Sequence, residues 1–452
     1  MTILRMFFLT AAALSLISTA FAQPKRTAPG TNVILILADD LGYADVGAQG
    51  ILPEVKTPNI DTIAANGVRF TNAYVSCAVC SPSRAGLLTG RYQERFGYEA
   101  NPIAAYDEKF GLPHDQVTLG DVLKKAGYVT GAFGKWHEGN IPEYRPLLRG
   151  FDEYFGFLGG MHGYTGPAEI EKHWNSIRRG DEPVAETEYL TDAISREAVS
   201  FIDRHKDQPF FMYVPYSAVH SPLQAPPKYV DRFAQIQDRK RQMCLAMLSA
   251  MDDGVGRILA KLRESGLEEN TLVVFFSDNG GPTNENGSRN TPLRGFKGQV
   301  WEGGIRVPFM MQWKGRIAPG RVLDQPIIAL DLFPTVVGMC GAELPNDVPL
   351  DGVNILPLVE GKTATRPHET LYWRFKPQWA IRDGDYKLEQ SRDGVTRLYD
   401  LSKDPGERDD LISKQPDVAK RLQGQFDAWN ATLKDPLWPG RQEGEKDEAR
   451  VE

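Results

Sequence analysis

The sequence predicts an α/β fold: a large, mostly parallel sheet with helices on both faces, then a smaller C-terminal antiparallel sheet with one packed helix. Three observations carry that reading. Apolar runs at 33–37 and 271–276, with kindred runs at 128–133 and 210–214, have the character of strands buried on both faces. Helical patterns lie between them at 57–66, 119–126, 191–205 and 242–265, three of them closed by Gly67, Gly127 and Gly266. After Leu356 the pattern changes to short strands at 370–375, 379–382, 386–389 and 397–400, punctuated by Asp383-Gly384 and Asp393-Gly394 and followed by a helix at 418–433.

The 452 residues, 41% of them hydrophobic, exceed the roughly 250 to 300 residues at which single cores stop growing. The expected division is an export signal at 1–22, a catalytic α/β part at 23–356, a C-terminal subdomain at 357–440 and a charged tail at 441–452. The signal rests on Arg5 before the apolar run 7–20 and on Ala20-Phe21-Ala22 as a cleavage site, which sends the mature chain to the periplasm or outside the cell. That run falls short of the roughly 18 to 20 residues of a membrane span, and no later run is long enough, so the mature chain is expected to have no span. A net charge of −7 offers no basic surface, which excludes nucleic acid as a partner. Cysteines stand at 77, 80, 244 and 340, with three pairings open. The Cys77–Cys80 spacing lacks a second such pair for zinc.

Each strand run delivers polar groups as it ends. The first exits into Asp39-Asp40, the second into Gly134-Lys135-Trp136-His137, the third into His220-Ser221-Pro222, and the fourth into Ser277-Asp278-Asn279-Gly280. Ligands bind beyond the carboxyl ends of parallel strands, so these residues are expected to converge. Adjacent buried carboxylates need a cation to stay ionised. Three carboxylates and an amide oxygen make a hard oxygen site suited to calcium or magnesium. Beside them, Cys80-Ser81-Pro82-Ser83-Arg84 reads as a helix start capped by Ser81, with Cys80 just outside its positive end and Arg84 one turn in, a place for an oxyanion. Lys297, in the glycine-bracketed loop Gly295-Phe296-Lys297-Gly298, supplies a further cation.

These motifs, in this order, resemble the type I sulfatases, from about Asn32 into the C-terminal part. The resemblance implies that Cys80 is converted to formylglycine by a maturation enzyme. It implies that Asp39, Asp40, Asp278 and Asn279 hold one divalent ion with residue 80, calcium first and magnesium second. Arg84 would hold the modified side chain, and Lys135 and Lys297 would clamp sulfate oxygens. His220 and Lys297 would serve the leaving oxygen, and His137 would take the proton from the second hydroxyl of the hydrated aldehyde. Two features depart from the family: Glu138 follows His137 where many relatives carry an apolar residue, and 139–190 matches no particular substrate class.

The substrate reading is a sulfated carbohydrate, because an exported enzyme meets polysaccharides, and Trp136, Tyr164, Trp174 and Trp301 can act as sugar platforms. Asn101, His162 and Arg294 are the candidate substrate contacts. The remaining histidines, 114, 173, 205 and 368, read as surface or structural residues. Two other functions compete: a phosphodiesterase or phosphonate hydrolase of the same superfamily, and a non-catalytic glycan-binding relative. The latter would be expected to lack Cys80, Arg84 or a metal ligand, and all are present.

Overall fold

The computed structural model describes residues 30–102, 110–166, 169–171, 173–345 and 349–438. The signal expected at 1–22 and the tail at 441–452 lie outside the described residues.

Strand Asn32–Ala38 is the centre of a ten-stranded sheet, lying parallel to Thr271–Ser277 on one side and to Phe210–Pro215 on the other. Val129–Lys135 and Glu153–Phe157 extend the parallel set. All seven residues of the central strand are buried. Side chains alternate along a strand, so Ile34 and Ile36 pack on one face and Val33, Leu35 and Leu37 on the other. The first face is covered by helices Pro58–Ala65, Leu190–His205 and Arg239–Glu264. The second is covered by Cys80–Thr89, Leu119–Lys125 and Leu332–Cys340.

The sheet is mixed at its margins. Phe309–Gln312 runs antiparallel to both Thr271–Ser277 and Val68–Phe70, and Arg178–Arg179 runs antiparallel to Glu153–Phe157. The marginal strands Phe309–Gln312, Val68–Phe70 and Arg178–Arg179 are two to four residues long, too short to show a period in sequence. Helix Arg239–Glu264 begins three residues before its expected start because Asp238 accepts from the amides of Lys240 and Arg241.

The C-terminal strands Thr370–Phe375, Gln378–Asp383, Tyr386–Gln390 and Thr396–Asp400 form an antiparallel meander, against which helix Pro416–Asn430 packs Leu422, Phe426 and Trp429. This unit is fastened to the segment before Cys80, since the Trp373 indole donates to the carbonyl of Val75 at 2.7 Å. Among the described residues no helix is long and apolar enough to cross a membrane.

Candidate active site

Parallel register brings the strand ends together. Ala38 lies beside Ser277 and Leu37 beside Pro215, so Asp39, Asp40, Asp278 and Asn279 leave the sheet at one place. Pairing continues past the strands: the amide of Asp39 donates to Ala218 and that of Asp278 to Ala38. His137 is fixed likewise, its amide donating to Leu158 at 3.0 Å.

Ligating atoms of Asp39, Asp40, Cys80 and Asp278 all lie within 4.8 Å of one another, and all four residues are buried. Three cations face the three acids. Arg84 grips Asp278 through Nε at 3.0 Å and Nη2 at 2.8 Å, Lys135 meets Asp39 at 2.6 Å, and Lys297 meets Asp40 at 2.8 Å. Lys297 Nζ also stands 3.2 Å from Cys80 Sγ. Asn279 donates to Asp40 at 2.7 Å, while its Oδ1 is buried without a hydrogen-bond partner. An orphaned buried oxygen beside three carboxylates is the donor set of a hard divalent cation, so these residues fit such an ion.

The electrostatics separate the groups. Burial opposes charge on Asp40, yet Lys297, His220 and Lys135 outweigh it and hold the carboxyl below the usual range. Burial and neighbouring Asp39 push Asp278 up, against the pull of Arg84. Burial, aided by Asp278, also holds the Cys80 thiol well above its ordinary value. A bare thiol here is protonated and a weak nucleophile. His137 is driven well below the usual imidazole range by burial and by Lys135, Arg84 and Lys297. Burial takes His220 down to about 3 against the attraction of Asp40, 3.6 Å from its Nε2. Both rings are therefore neutral at pH 7.

The backbone is strained where it serves this cluster. Asp40 and His137 have φ of 65° and 66°, a left-handed conformation that costs a non-glycine residue on the order of 1 kcal/mol or more. Gly160 lies so close to His137 that a Cβ there would sit 2.6 Å from Nε2, so only glycine fits.

One expectation at the helix start fails. Cys80 is the first residue of helix Cys80–Thr89, and Val79 occupies the cap position with no side-chain bond. Ser81 does not cap because its hydroxyl is committed elsewhere: it donates to the carbonyl of His137 at 2.6 Å and pairs with the Tyr98 hydroxyl at 2.7 Å. Asn101 accepts from the amide of Ser81 at 3.0 Å, so it holds the helix start. Arg294 stacks 3.7 Å over Trp301 of its own loop and donates to the carbonyl of Glu407, beyond the last strand of the C-terminal sheet. Glu138 is fully buried, and burial pushes its carboxyl well above the usual range beside Tyr98.

His162 lines a cleft of about 380 Å³ together with Glu171, His173, Asn175 and Ser221, the residue after His220. Glu171 joins the two rings, at 2.9 Å from His162 Nε2 and 3.4 Å from His173 Nε2. Sequence reasoning missed Glu171 and His173 because no strand run leads to them. It missed Tyr98 and Tyr164 as supports of the site for the same reason. Tyr164 donates to the carbonyls of Ser217 and His220, steadying the third strand exit.

Residues 31–342 match the family described as sulfatase, and 296–431 match the one described as N-sulphoglucosamine sulphohydrolase, C-terminal. N-acetylgalactosamine-6-sulfatase of Homo sapiens is 34% identical over 429 residues, covering 83% of this chain and 80% of that protein. Arylsulfatase A of Homo sapiens is 33% identical, covering 87% of this chain and 85% of that protein. The crystal structure of Ps i-CgsB in complex with k-i-k-neocarrahexaose superposes with a TM-score of 0.86 at 35% identity, covering 90% of this chain and 94% of that one. With the acid–base cluster at the strand ends and these matches along nearly its full length, the chain belongs to the sulfatase family and is a sulfuric ester hydrolase.

Proposed function

We propose that this sulfatase hydrolyses a sulfate ester on a carbohydrate, with residue 80 in its formylglycine form and a calcium ion held by Asp39, Asp40, Asp278 and Asn279. The observation that carries the proposal is the buried set of three carboxylates with the orphaned Asn279 oxygen beside Cys80. A hydrated aldehyde at position 80 supplies two hydroxyls, and a divalent ion lowers the pKa of a hydroxyl bound to it and offsets anionic charge.

The chain's own residues do the rest. Arg84, fully buried and bound twice to Asp278, fixes that carboxylate and the floor of the site. Lys135 and Lys297 converge from opposite sequence regions and provide fixed positive charge for sulfate oxygens, which are most anionic in the transition state. Lys297 is held charged, since Asp40 and other acids overcome its burial, so its ammonium serves the leaving oxygen as a donor. His220 donates from Nδ1 to the carbonyl of Ser221 at 2.6 Å, which orients the ring with Nε2 3.6 Å from Asp40. With its one proton on Nδ1 the neutral ring helps shape the leaving-group side, and the donor there is Lys297. Neutral His137 is suited to accept a proton from the second hydroxyl, general-base work worth about 10²- to 10⁴-fold.

The carbohydrate reading draws on the relatives, one named for N-acetylgalactosamine 6-sulfate and one solved with a neocarrahexaose. In this chain the cleft at His162, Glu171, His173 and Asn175 adjoins His220 and offers hydrogen-bonding side chains to sugar hydroxyls. Asn101 and Arg294 remain candidate substrate contacts, Asn101 also accepting from the Ser81 amide and Arg294 also donating to the Glu407 carbonyl. Export through the 1–22 segment belongs to the same proposal, and a mature chain beginning at Gln23 on N-terminal sequencing would support it.

The test is a screen of singly sulfated oligosaccharides against matched phosphate esters, with peptide mapping of residue 80. Turnover of a sulfated sugar by protein carrying the aldehyde supports the proposal. Preference for phosphate esters, or full activity with an unmodified thiol, overturns it.

A further inference from the structure

Lys297 reaches the site from a loop, and its four-carbon stem makes the placement of its ammonium depend on where the loop backbone is seated. Gly298, the next residue, has φ of 81°, a turn that suits glycine. Its amide donates to the carbonyl of Ala78, two residues before Cys80, at 2.8 Å. Its carbonyl accepts from Gln378 Nε2, also at 2.8 Å. Gln378 is 2% exposed and is the first residue of strand Gln378–Asp383 in the C-terminal sheet. The backbone beside Lys297 is thus held between the Cys80 segment and that sheet.

A second fastening lies two residues on. Lys387, from the same sheet, donates to the carbonyl of Val300 at 2.8 Å and pairs with Glu302 at 3.0 Å and Glu407 at 2.8 Å. All three side chains have no solvent exposure. Outside the two fastenings the loop is tied to itself, the amide of Gly303 donating to the carbonyl of Arg294 at 2.6 Å. The loop is therefore a small rigid frame seated on the C-terminal sheet, with Gln378 the nearer of two donors to the Gly298 carbonyl, Arg392 Nη2 standing 3.5 Å from it.

We propose that Gln378 is a positioning residue for the sulfatase reaction: through the Gly298 carbonyl it sets the height of Lys297 above Asp40 and residue 80. The inference rests on the reading of Lys297 as the cation that faces the sulfate ester. Gln378 itself acts through the backbone, because its amide nitrogen is committed to Gly298. A misplacement of about 1 Å in such a group lowers turnover by about 100-fold, so a contact with no direct part in the chemistry can govern the rate.

The experiment is a double-mutant cycle on the mature, full-length enzyme with 4-nitrophenyl sulfate, a substrate too small to depend on sugar contacts. Q378A is expected to lower kcat roughly 10- to 100-fold with KM changed by less than about threefold, and melting lowered only by the few degrees that one lost buried hydrogen bond accounts for. Combined with K297A, it is expected to add little to the loss K297A causes alone. Q378N, which keeps the amide on a shorter stem, should show the same kcat-weighted loss in milder form, and it stands in if Q378A does not fold. Wild-type kcat in both variants, or losses that multiply fully with K297A, would overturn the inference. A loss confined to oligosaccharide substrates would also overturn it, because Gln378 would then be a sugar contact. If K297A itself runs at the wild-type rate, the role assigned to Lys297 is wrong, a result distinct from failure at Gln378 alone.

Discussion

The molecule buries two ionic clusters of similar makeup that serve different ends. At the strand ends, Asp39, Asp40 and Asp278 face Arg84, Lys135 and Lys297. Under the C-terminal sheet, Glu302 and Glu407 share Lys387, with Arg306 and Arg382 close by. Both hold strained backbone: among the described residues the non-glycine positions with positive φ are Asp40, His137 and Glu407. The difference is access. Lys297 and His220 keep 16% of their side chains exposed, whereas Lys387, Glu302 and Glu407 are sealed. Buried charge alone does not mark a functional site; buried charge that a ligand can reach does.

The sharpest test of that contrast removes the centre of the open cluster. Cys80→Ala is expected to lower turnover on the order of 10⁴-fold or more while leaving the melting temperature near wild type, measured by steady-state kinetics and thermal unfolding. Lys387→Met should do the reverse to the sealed cluster. Two buried carboxylates would lose their shared cation, a loss of about 3–5 kcal/mol read by urea unfolding. An unchanged midpoint would mean that the sealed cluster is not an ionic one in solution.

A smaller effect is expected at Asn279→Ala, which deletes the orphaned oxygen. Calcium affinity measured by calorimetry should weaken about 10- to 100-fold, and excess calcium should restore activity removed by chelation in the wild type. The smallest effect concerns a histidine outside both clusters. Burial works against charge on His368, but Asp331, 2.7 Å from Nε2, overrides it and raises the pKa above 6.5. A raised folded-state value means the stabilisation is complete below about pH 6.5 and is lost as pH rises through the folded value. Melting of wild type and His368→Gln should therefore differ by about 1 kcal/mol at pH 5.5 and converge in alkaline buffer.

Much of the site was legible because chemistry in a parallel sheet is delivered at fixed places. Asp39, Lys135, His220 and Asp278 each follow or end a strand run, and the rule that ligands sit beyond carboxyl ends assembles them without coordinates. Ser81 was misread as a cap because capping statistics describe local bonds, and Tyr98 and the His137 carbonyl are distant competitors for the same hydroxyl. Arg294, a candidate substrate contact in the sequence, also stacks on Trp301 and donates to the carbonyl of Glu407, a partner 113 residues on that no local pattern shows. Glu171 and Gln378 could not be found: Glu171 lies in an irregular segment with no strand run leading to it, and Gln378 gains meaning only from Gly298, 80 residues earlier.

By itself the sequence determined the α/β architecture and the residue types at the strand exits, because hydrophobic period and strand-end position are local properties. Which acid pairs with which base was decided by tertiary structure alone. Arg84 choosing Asp278, Lys297 choosing Asp40 and Gln378 holding Gly298 are contacts across 194, 257 and 80 residues, and only the packing of a helix, a loop and the C-terminal sheet around the strand ends brings such partners within hydrogen-bond distance.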